Sequence, residues 1–458
     1  MQVSLFKLKI FFLHINFLVL FFFSPIPLRG IVEGFYGTPW TFENRVDLIK
    51  FCRNHNLNSY IYAPKNDPYH RDKWRVPYPD EKIQEFKNLI LLANINKVRF
   101  IFAVSPGLDL NFIGEKANED FNILLTKIDS LYKIGCKDFA IFFDDIIADI
   151  NSGKNHAKFL NKLQKALNVK YSDINPIITI PTEFYTNSMI DKDGNIKQYT
   201  EDFSHILNKK IIVLYTGDRV VSDGIPLESF KKTLNIYKKD LGIWWNYPVN
   251  DYLKNKLALG PIEKLPTSNI KSIFFNPMRQ IQLSKIAIAT GAKYSLSPKT
   301  YNANNSWNKA IEEQFKELAP AMKIFAIHSR HFENSWAFIG PDDGPEFYAE
   351  THQVILDTKS KKKVDFSKLL SLINKMEKSA NILLQYLPIE ILAECKLQLE
   401  QFKRIINADK IAVKSLQNLK LDNELKSLRS EIFKHENEAL ISEKSAVKFI
   451  DEVLNLFE

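Results

Sequence analysis

Two adjacent carboxylates, Asp144 and Asp145, close an apolar run that reads Phe-Ala-Ile-Phe-Phe from residue 139. Carboxyl groups forced close together resist ionising at once, so such a pair can hold one proton beside one negative charge near neutral pH. A proton donor beside an anion suits the cleavage of an acetal, such as a glycosidic bond. An isolated Asp-Asp pair is more often a cap or an ion-paired loop than a catalytic device. Asp342-Asp343, with Gly-Pro on both sides, reads that way. What distinguishes Asp144-Asp145 is the element before it. A parallel strand buried on both faces is an unbroken apolar run, and the C-terminal ends of such strands form the mouth of an α/β barrel.

The rest of the chain supplies the other strands. Apolar runs are expected as strands at 29–36, 60–64, 99–105, 139–145, 177–181, 211–215, 243–247 and 273–275. Amphipathic stretches lie between most of them, at 42–55, 81–94, 119–134, 156–167, near Phe203, at 227–241 and from Ser284. Eight such alternations over ~270 residues predict a (β/α)8 barrel, with a doubly wound open sheet as the competing fold. The C-terminal edges of these runs carry Glu33-Gly34, Lys65-Asn66-Asp67, Ser105, Asp144-Asp145, Thr182-Glu183, Thr216-Gly217-Asp218, Asn246 and Asn276. In a barrel those edges converge on one face. Aromatic residues flank them, among them Tyr36, Trp40, Tyr62, Tyr69, Tyr185, Trp244, Trp245 and Tyr247. Aromatic faces beside hydrogen-bonding groups suit a sugar ring, while Trp74, Trp245 and Tyr247 also fit the reading of large core residues.

After Trp307 the character changes. Between Glu346 and Glu458 there is no glycine and one proline, Pro388. Phe366, Leu369, Leu370, Ile373, Met376, Ala380, Leu383 and Leu384 recur at helical spacing, and 398–411 and 425–432 behave alike. The expected organisation is a signal-like or anchor segment over 1–28, a catalytic barrel over 29–305 and a helical bundle over 306–458. Pro388 argues against one long coiled-coil rod, and the tail suits packing or assembly more than catalysis.

Bulk composition excludes several classes. The chain has 458 residues, 45% of them hydrophobic and 25% charged, a globular balance. Its net charge is +9, but the lysines are interspersed with acids, so no nucleic-acid site is expected. Cys52, Cys136 and Cys395 are too few and too dispersed for a disulfide framework or a zinc site. No metal-binding or nucleotide motif occurs, so no cofactor is expected. Lys7 and Lys9 precede an apolar stretch over 10–23, which reads as an export signal or a membrane tether. The expected location is therefore secreted or periplasmic, with a membrane-anchored or cytoplasmic protein as the alternatives. Nothing in the sequence fixes the oligomeric state.

Several long segments, in order, resemble the catalytic domain of glycoside hydrolase family 84, the β-N-acetylglucosaminidases that include the O-GlcNAcases. They are Arg-Gly-Ile-Val-Glu-Gly-Phe-Tyr-Gly-Thr-Pro-Trp (29–40), Tyr-Ala-Pro-Lys-Asn-Asp-Pro-Tyr-His-Arg (62–71), Phe-Phe-Asp-Asp-Ile (142–146), Pro-Thr-Glu (181–183), Trp-Trp-Asn-Tyr-Pro-Val-Asn-Asp (244–251) and Asn-Pro-Met (276–278). The resemblance implies roles by position. Asp145 would be the general acid and Asp144 would hold the substrate's acetamido N–H. Lys65 and the Gly34 backbone would bind sugar hydroxyls. Asn246, Asp251 and Asn276 would hold the remaining hydroxyls and the acetamido group, with Trp244 in the wall. Relatives carry Tyr directly after Pro-Thr-Glu/Asp, whereas Phe184 stands here and Tyr185 follows. Either the loop shifts so that Tyr185 supplies the hydroxyl, or that hydrogen bond is missing.

The chemistry is coherent without the family. Adjacent acids are poorly placed to straddle a sugar at the ~5–9 Å separation of ordinary two-carboxylate glycosidases. A substrate's own 2-acetamido oxygen can attack instead, giving an oxazoline and net retention. The leading expectation is an exo-acting β-N-acetylglucosaminidase on a β-GlcNAc-containing glycoconjugate. An endo-acting hexosaminidase on a hyaluronan-like polymer, a silent carbohydrate-binding barrel and an assembly scaffold are the competing readings.

Overall fold

A computed structural model describes residues 25–457. The expected signal or anchor segment lies almost wholly outside the described residues. Among the described residues no helix is long and apolar enough to cross a membrane.

Eight parallel strands close into a barrel in sequence order. They are β1 (Leu28–Glu33), β2 (Ser59–Tyr62), β3 (Arg99–Val104), β4 (Asp138–Phe142), β5 (Ile178–Ile180), β6 (Ile212–Tyr215), β7 (Leu241–Trp245) and β8 (Ile270–Phe275). β1 closes the ring against β8, with Leu28 opposite Ser272 and Ile31 opposite Phe275. The open doubly wound sheet is thereby excluded. Helices Phe42–Asn54, Asp80–Ile95, Gly114–Lys133, Ser152–Lys170, Gln198–Ile206 and Leu227–Tyr237 follow the first six strands in turn. β7 has no helix after it; 246–269 runs as irregular chain into β8.

The barrel interior is filled at a period of two, as the pleat of a strand requires. Its inward layers are Leu28 and Val32, Ile61 and Ala63, Ile101 and Ala103, Ala140 and Phe142, Ile178 and Ile180, Ile212 and Leu214, then Trp244 and Phe274. Both faces of most strands are largely apolar because helices cover the outside, which is why these strands look like apolar runs in the sequence. Several end earlier than the apolar runs suggest. β1 stops at Glu33 rather than residue 36, and β4 stops at Phe142, two residues before Asp144. The polar ends leave the sheet to line the mouth.

The chain divides into two compact units. The first holds the barrel and comprises 25–246, 263–279 and 291–302; the second comprises 247–262, 280–290 and 303–457. The second unit is mostly helical, with long helices Ser367–Tyr386 and Ile389–Gln417 followed by Glu424–His435 and Lys448–Phe457. Pro388 occupies the N-cap of helix Ile389–Gln417. It parts that helix from the preceding one because a proline tolerates a helix start but not a helix interior. Asp343, the other Asp-Asp locus, is buried in this unit. It pairs with Lys256 at 2.8 Å and accepts from the backbone N–H of Arg330 and His331. Asp343 is thus a structural anion.

Candidate active site

The site residues follow from the barrel register. Counting two residues past the last inward apolar residue gives Gly34 after Val32, Lys65 after Ala63, Asp144 after Phe142, Asn246 after Trp244 and Asn276 after Phe274. The same alternation that fills the core therefore aims these five residues inward at the mouth.

Lys65 is the hub of the acid pair. Its side chain is 3% exposed, its Nζ is ion-paired with Asp144 Oδ2, and it lies 3.8 Å from Asp145 Oδ2. A shared cation offsets the repulsion between two neighbouring carboxylates, so the pair is not the bare like-charged pair that the sequence suggests. Asp144 is buried, and its second oxygen, Oδ1, is fully enclosed without a hydrogen-bond partner. Asp145 is different: its side chain is 38% exposed and its backbone turns to φ 55°. Tyr36 Oη donates to Asp145 Oδ2 at 2.7 Å. Arg71 donates to that same tyrosine oxygen at 2.7 Å and to the Asp145 carbonyl at 3.3 Å.

The opposite wall is an amide network. Asn246 Oδ1 accepts from Trp244 Nε1 at 2.8 Å and from Asn276 Nδ2 at 2.9 Å, while Asn246 Nδ2 donates to the Val220 carbonyl at 2.9 Å. Asn276 Oδ1 accepts from Gly34 N at 3.3 Å. Each amide thus donates one of its two N–H groups within the network. Trp244 is 3% exposed and meets Phe142 edge-on at 5.5 Å. A methyl group at Gly34 would collide with the Trp244 ring, so glycine is required there by close approach. The Gly34 N–H is taken by the Val32 carbonyl at 2.9 Å and by Asn276 Oδ1.

Other strand-end residues are brought near the mouth but tied into the frame. Glu33 is fully buried, held by Arg45 at 2.8 and 2.9 Å, by Tyr60 and by the Trp40 N–H. Asp67 accepts from Tyr62, Tyr78 and the Tyr69 N–H. Glu183 accepts from Thr200. Phe184 is buried within the inward layer that includes Trp244, and Tyr185 is half-buried against it, the rings edge-on at 5.4 Å. Asp251 belongs to the second unit, half-buried. Trp74, Trp245 and Tyr247 are buried core residues.

Two residues at the site carry little signal in the sequence: Tyr36 is one flanking aromatic among many, and Arg71 is the end of a matching segment. No periodicity marks either, because both lie in loops, where contacts depend on the fold.

Two acids and a lysine at the mouth of a closed parallel barrel define a site of the glycoside hydrolase kind. Comparison with known proteins gives the family. Residues 29–327 match the model described as beta-N-acetylglucosaminidase, and 347–450 match a hyaluronidase post-catalytic domain-like model. The chain belongs to that family of enzymes, glycoside hydrolase family 84. The structure of CpGH84B is similar at 37% identity and a TM-score of 0.85, over 93% of this chain and 77% of that one. A Thermobaculum terrenum O-GlcNAc hydrolase mutant is similar at 28% identity and a TM-score of 0.80, over 94% of each chain. Mouse protein O-GlcNAcase is 34% identical over 275 residues, which take in 58% of this chain and 30% of that protein. The matched region thus spans under a third of the length of that curated relative.

Proposed function

We propose that the protein is a retaining exo-β-N-acetylglucosaminidase that removes terminal β-linked GlcNAc through an oxazoline intermediate. The observation that carries this reading is Asp144 Oδ1. A buried carboxylate oxygen without a donor costs ~1–3 kcal/mol, and an acetamido N–H would satisfy it. Held there, the acetamido group has its carbonyl oxygen directed at the anomeric carbon. That oxygen attacks while the glycosidic C–O bond breaks, and Asp145 gives its proton to the departing oxygen. Positive charge developing on the amide nitrogen is offset by Asp144. In the second half Asp145, now a carboxylate, takes a proton from water, which opens the oxazoline at the same face. Lys65 fixes Asp144, and the spare N–H groups of Asn246 and Asn276 hold ring substituents. The names of the relatives, O-GlcNAcase and O-GlcNAc hydrolase, support O-linked GlcNAc as the substrate class.

The test is hydrolysis of aryl N-acetylglucosaminides carrying zero to three fluorines on the acetyl group. Stepwise slowing with fluorination, and a β-configured first product, are expected because the acyl oxygen is the nucleophile. A flat response with a trappable glycosyl-enzyme overturns the mechanism. Release of internal fragments from a hyaluronan chain overturns exo action. We also propose that residues 10–23 direct export, since Lys7 and Lys9 precede an apolar stretch. Cell fractionation that finds the full-length chain soluble in the cytoplasm overturns that.

A further inference from the structure

Asp144 and Asp145 are consecutive, yet both reach Lys65. In an extended chain consecutive side chains point to opposite faces, so a strand cannot place both there. The chain solves this with the left-handed backbone of Asp145, φ 55°, a conformation that L-residues other than glycine rarely adopt without support. Arg71 and Tyr36 both bond the turned residue. Arg71 Nη2 bonds the Asp145 carbonyl, while Arg71 Nη1 bonds the Tyr36 oxygen that itself donates to Asp145 Oδ2. One guanidinium therefore grips the acid residue at its backbone and, through Tyr36, at its carboxylate.

The loop that presents Arg71 is itself fixed by the preceding residue. His70 is buried, and its Nδ1–H donates to the Ala103 carbonyl at 2.7 Å while Nε2 accepts from Ser105 Oγ at 3.1 Å. The Ser105 N–H returns a bond to the His70 carbonyl at 2.9 Å. Burial lowers the His70 imidazole to about 4, so it stays neutral and keeps this donor–acceptor arrangement through the neutral range. Arg71 is thus mounted on the barrel rather than on a free loop.

We propose that Arg71 is a positioning residue for the general acid. It holds Asp145 in its turned-back conformation and presents the Tyr36 hydroxyl to Oδ2, leaving Oδ1 to carry the transferable proton. The inference rests on the reading of Asp145 as the acid. It differs from a merely structural role, because losing Arg71 should harm only those reactions that need proton donation. A planar fork is needed to reach two acceptors at once, so lysine is a poor replacement.

The test compares Arg71→Met, Arg71→Lys and Asp145→Asn on phenyl, nitrophenyl and dinitrophenyl N-acetylglucosaminides, with thermal midpoints recorded alongside. Arg71→Met should lose on the order of 10–100-fold in kcat on the phenyl substrate. On the dinitrophenyl substrate it should lose less than about threefold, because that departing oxygen needs little proton transfer. KM should stay within about twofold, as expected for an interaction that matters in the transition state. Arg71→Lys should fall between wild type and Arg71→Met. A loss that is equal across the three leaving groups, or confined to KM, overturns the inference when Asp145→Asn itself shows a graded loss. A flat Asp145→Asn series sinks the acid assignment, and this inference with it. Should Arg71→Met fail to fold, Arg71→Lys decides alone: a graded loss supports the role, and a flat one removes it.

Discussion

Lys65 is bonded to Asp144 and stands 3.8 Å from Asp145, so one buried ammonium serves both carboxylates unequally. The closer partner is the buried one, and the farther is the exposed one. This asymmetry matches the proposed division of roles, with Asp144 held in place to accept from the acetamido group and Asp145 as the more accessible acid.

Lys65→Met therefore has two separable consequences. It strands a buried carboxylate, a change that costs about 3–5 kcal/mol when one partner of a buried pair is removed. It also removes a pre-organised charge from the site, which should lower kcat/KM by roughly 10²–10³. Adding Asp144→Asn to Lys65→Met should restore much of the stability and none of the activity. Urea unfolding and aryl-glycoside turnover of the three variants check this. Additive stability losses in the double variant would show that the two residues are not energetically coupled.

Asp144→Ala should slow turnover by roughly 10²–10³ and flatten the dependence on acetyl fluorination. In the proposed mechanism the carboxylate supports the amide nitrogen as charge builds there, so without it the acyl oxygen should cease to lead the attack. Asp144→Asn should retain part of the binding, since its side-chain oxygen still accepts an N–H, but little of the rate. Kinetics across the fluorinated series would settle it; an unchanged slope in Asp144→Ala would separate Asp144 from the acetamido group.

Much of this was legible in the sequence because the informative signal has a period of two. The barrel was visible as eight apolar runs, and Gly34, Lys65, Asp144, Asn246 and Asn276 lie one pleat beyond an inward residue. What could not be read is what breaks that period. Asp145 reaches Lys65 through a left-handed turn, and Arg71 reaches Asp145 across 74 positions of chain. Glu33 is the converse case. It ends β1 next to Gly34, among the strand-end polar residues, but it is enclosed by Arg45 and Tyr60 on neighbouring elements. A strand-end carboxylate is a ligand group or a structural anion according to what packs beside it, and that is decided by tertiary contacts.

The Phe184–Tyr185 step tests the departure from the family pattern. Phe184 fills the inward layer beside Trp244, whereas the Tyr185 ring is half-buried and lies against it. Tyr185→Phe should lower kcat/KM about tenfold, the scale of one hydrogen bond worth ~1.4 kcal/mol in the transition state. Unchanged activity in Tyr185→Phe, together with a gain in Phe184→Tyr, would move the hydroxyl-bearing position to residue 184.

A pH dependence of stability is built into the second unit. Glu394 accepts from the backbone N–H of Gln282 at 3.1 Å and of Leu283 at 2.9 Å, capping the start of helix Ile281–Leu296. Burial pushes its carboxyl up to about 7, against an ordinary 4.5, although the two N–H bonds pull the other way. The folded state therefore holds this proton more tightly than the unfolded chain does. The resulting stabilisation is fully present below pH 4.5 and is lost as pH rises through about 7. The difference between those two values amounts to about 3 kcal/mol. Glu394→Gln cannot titrate, and its side-chain oxygen can still accept one of the N–H bonds. The variant should therefore show a flatter profile than wild type from pH 5 to 8 in denaturant unfolding, and it should gain relative to wild type toward pH 8. Parallel profiles for the two proteins would show that Glu394 does not carry this linkage.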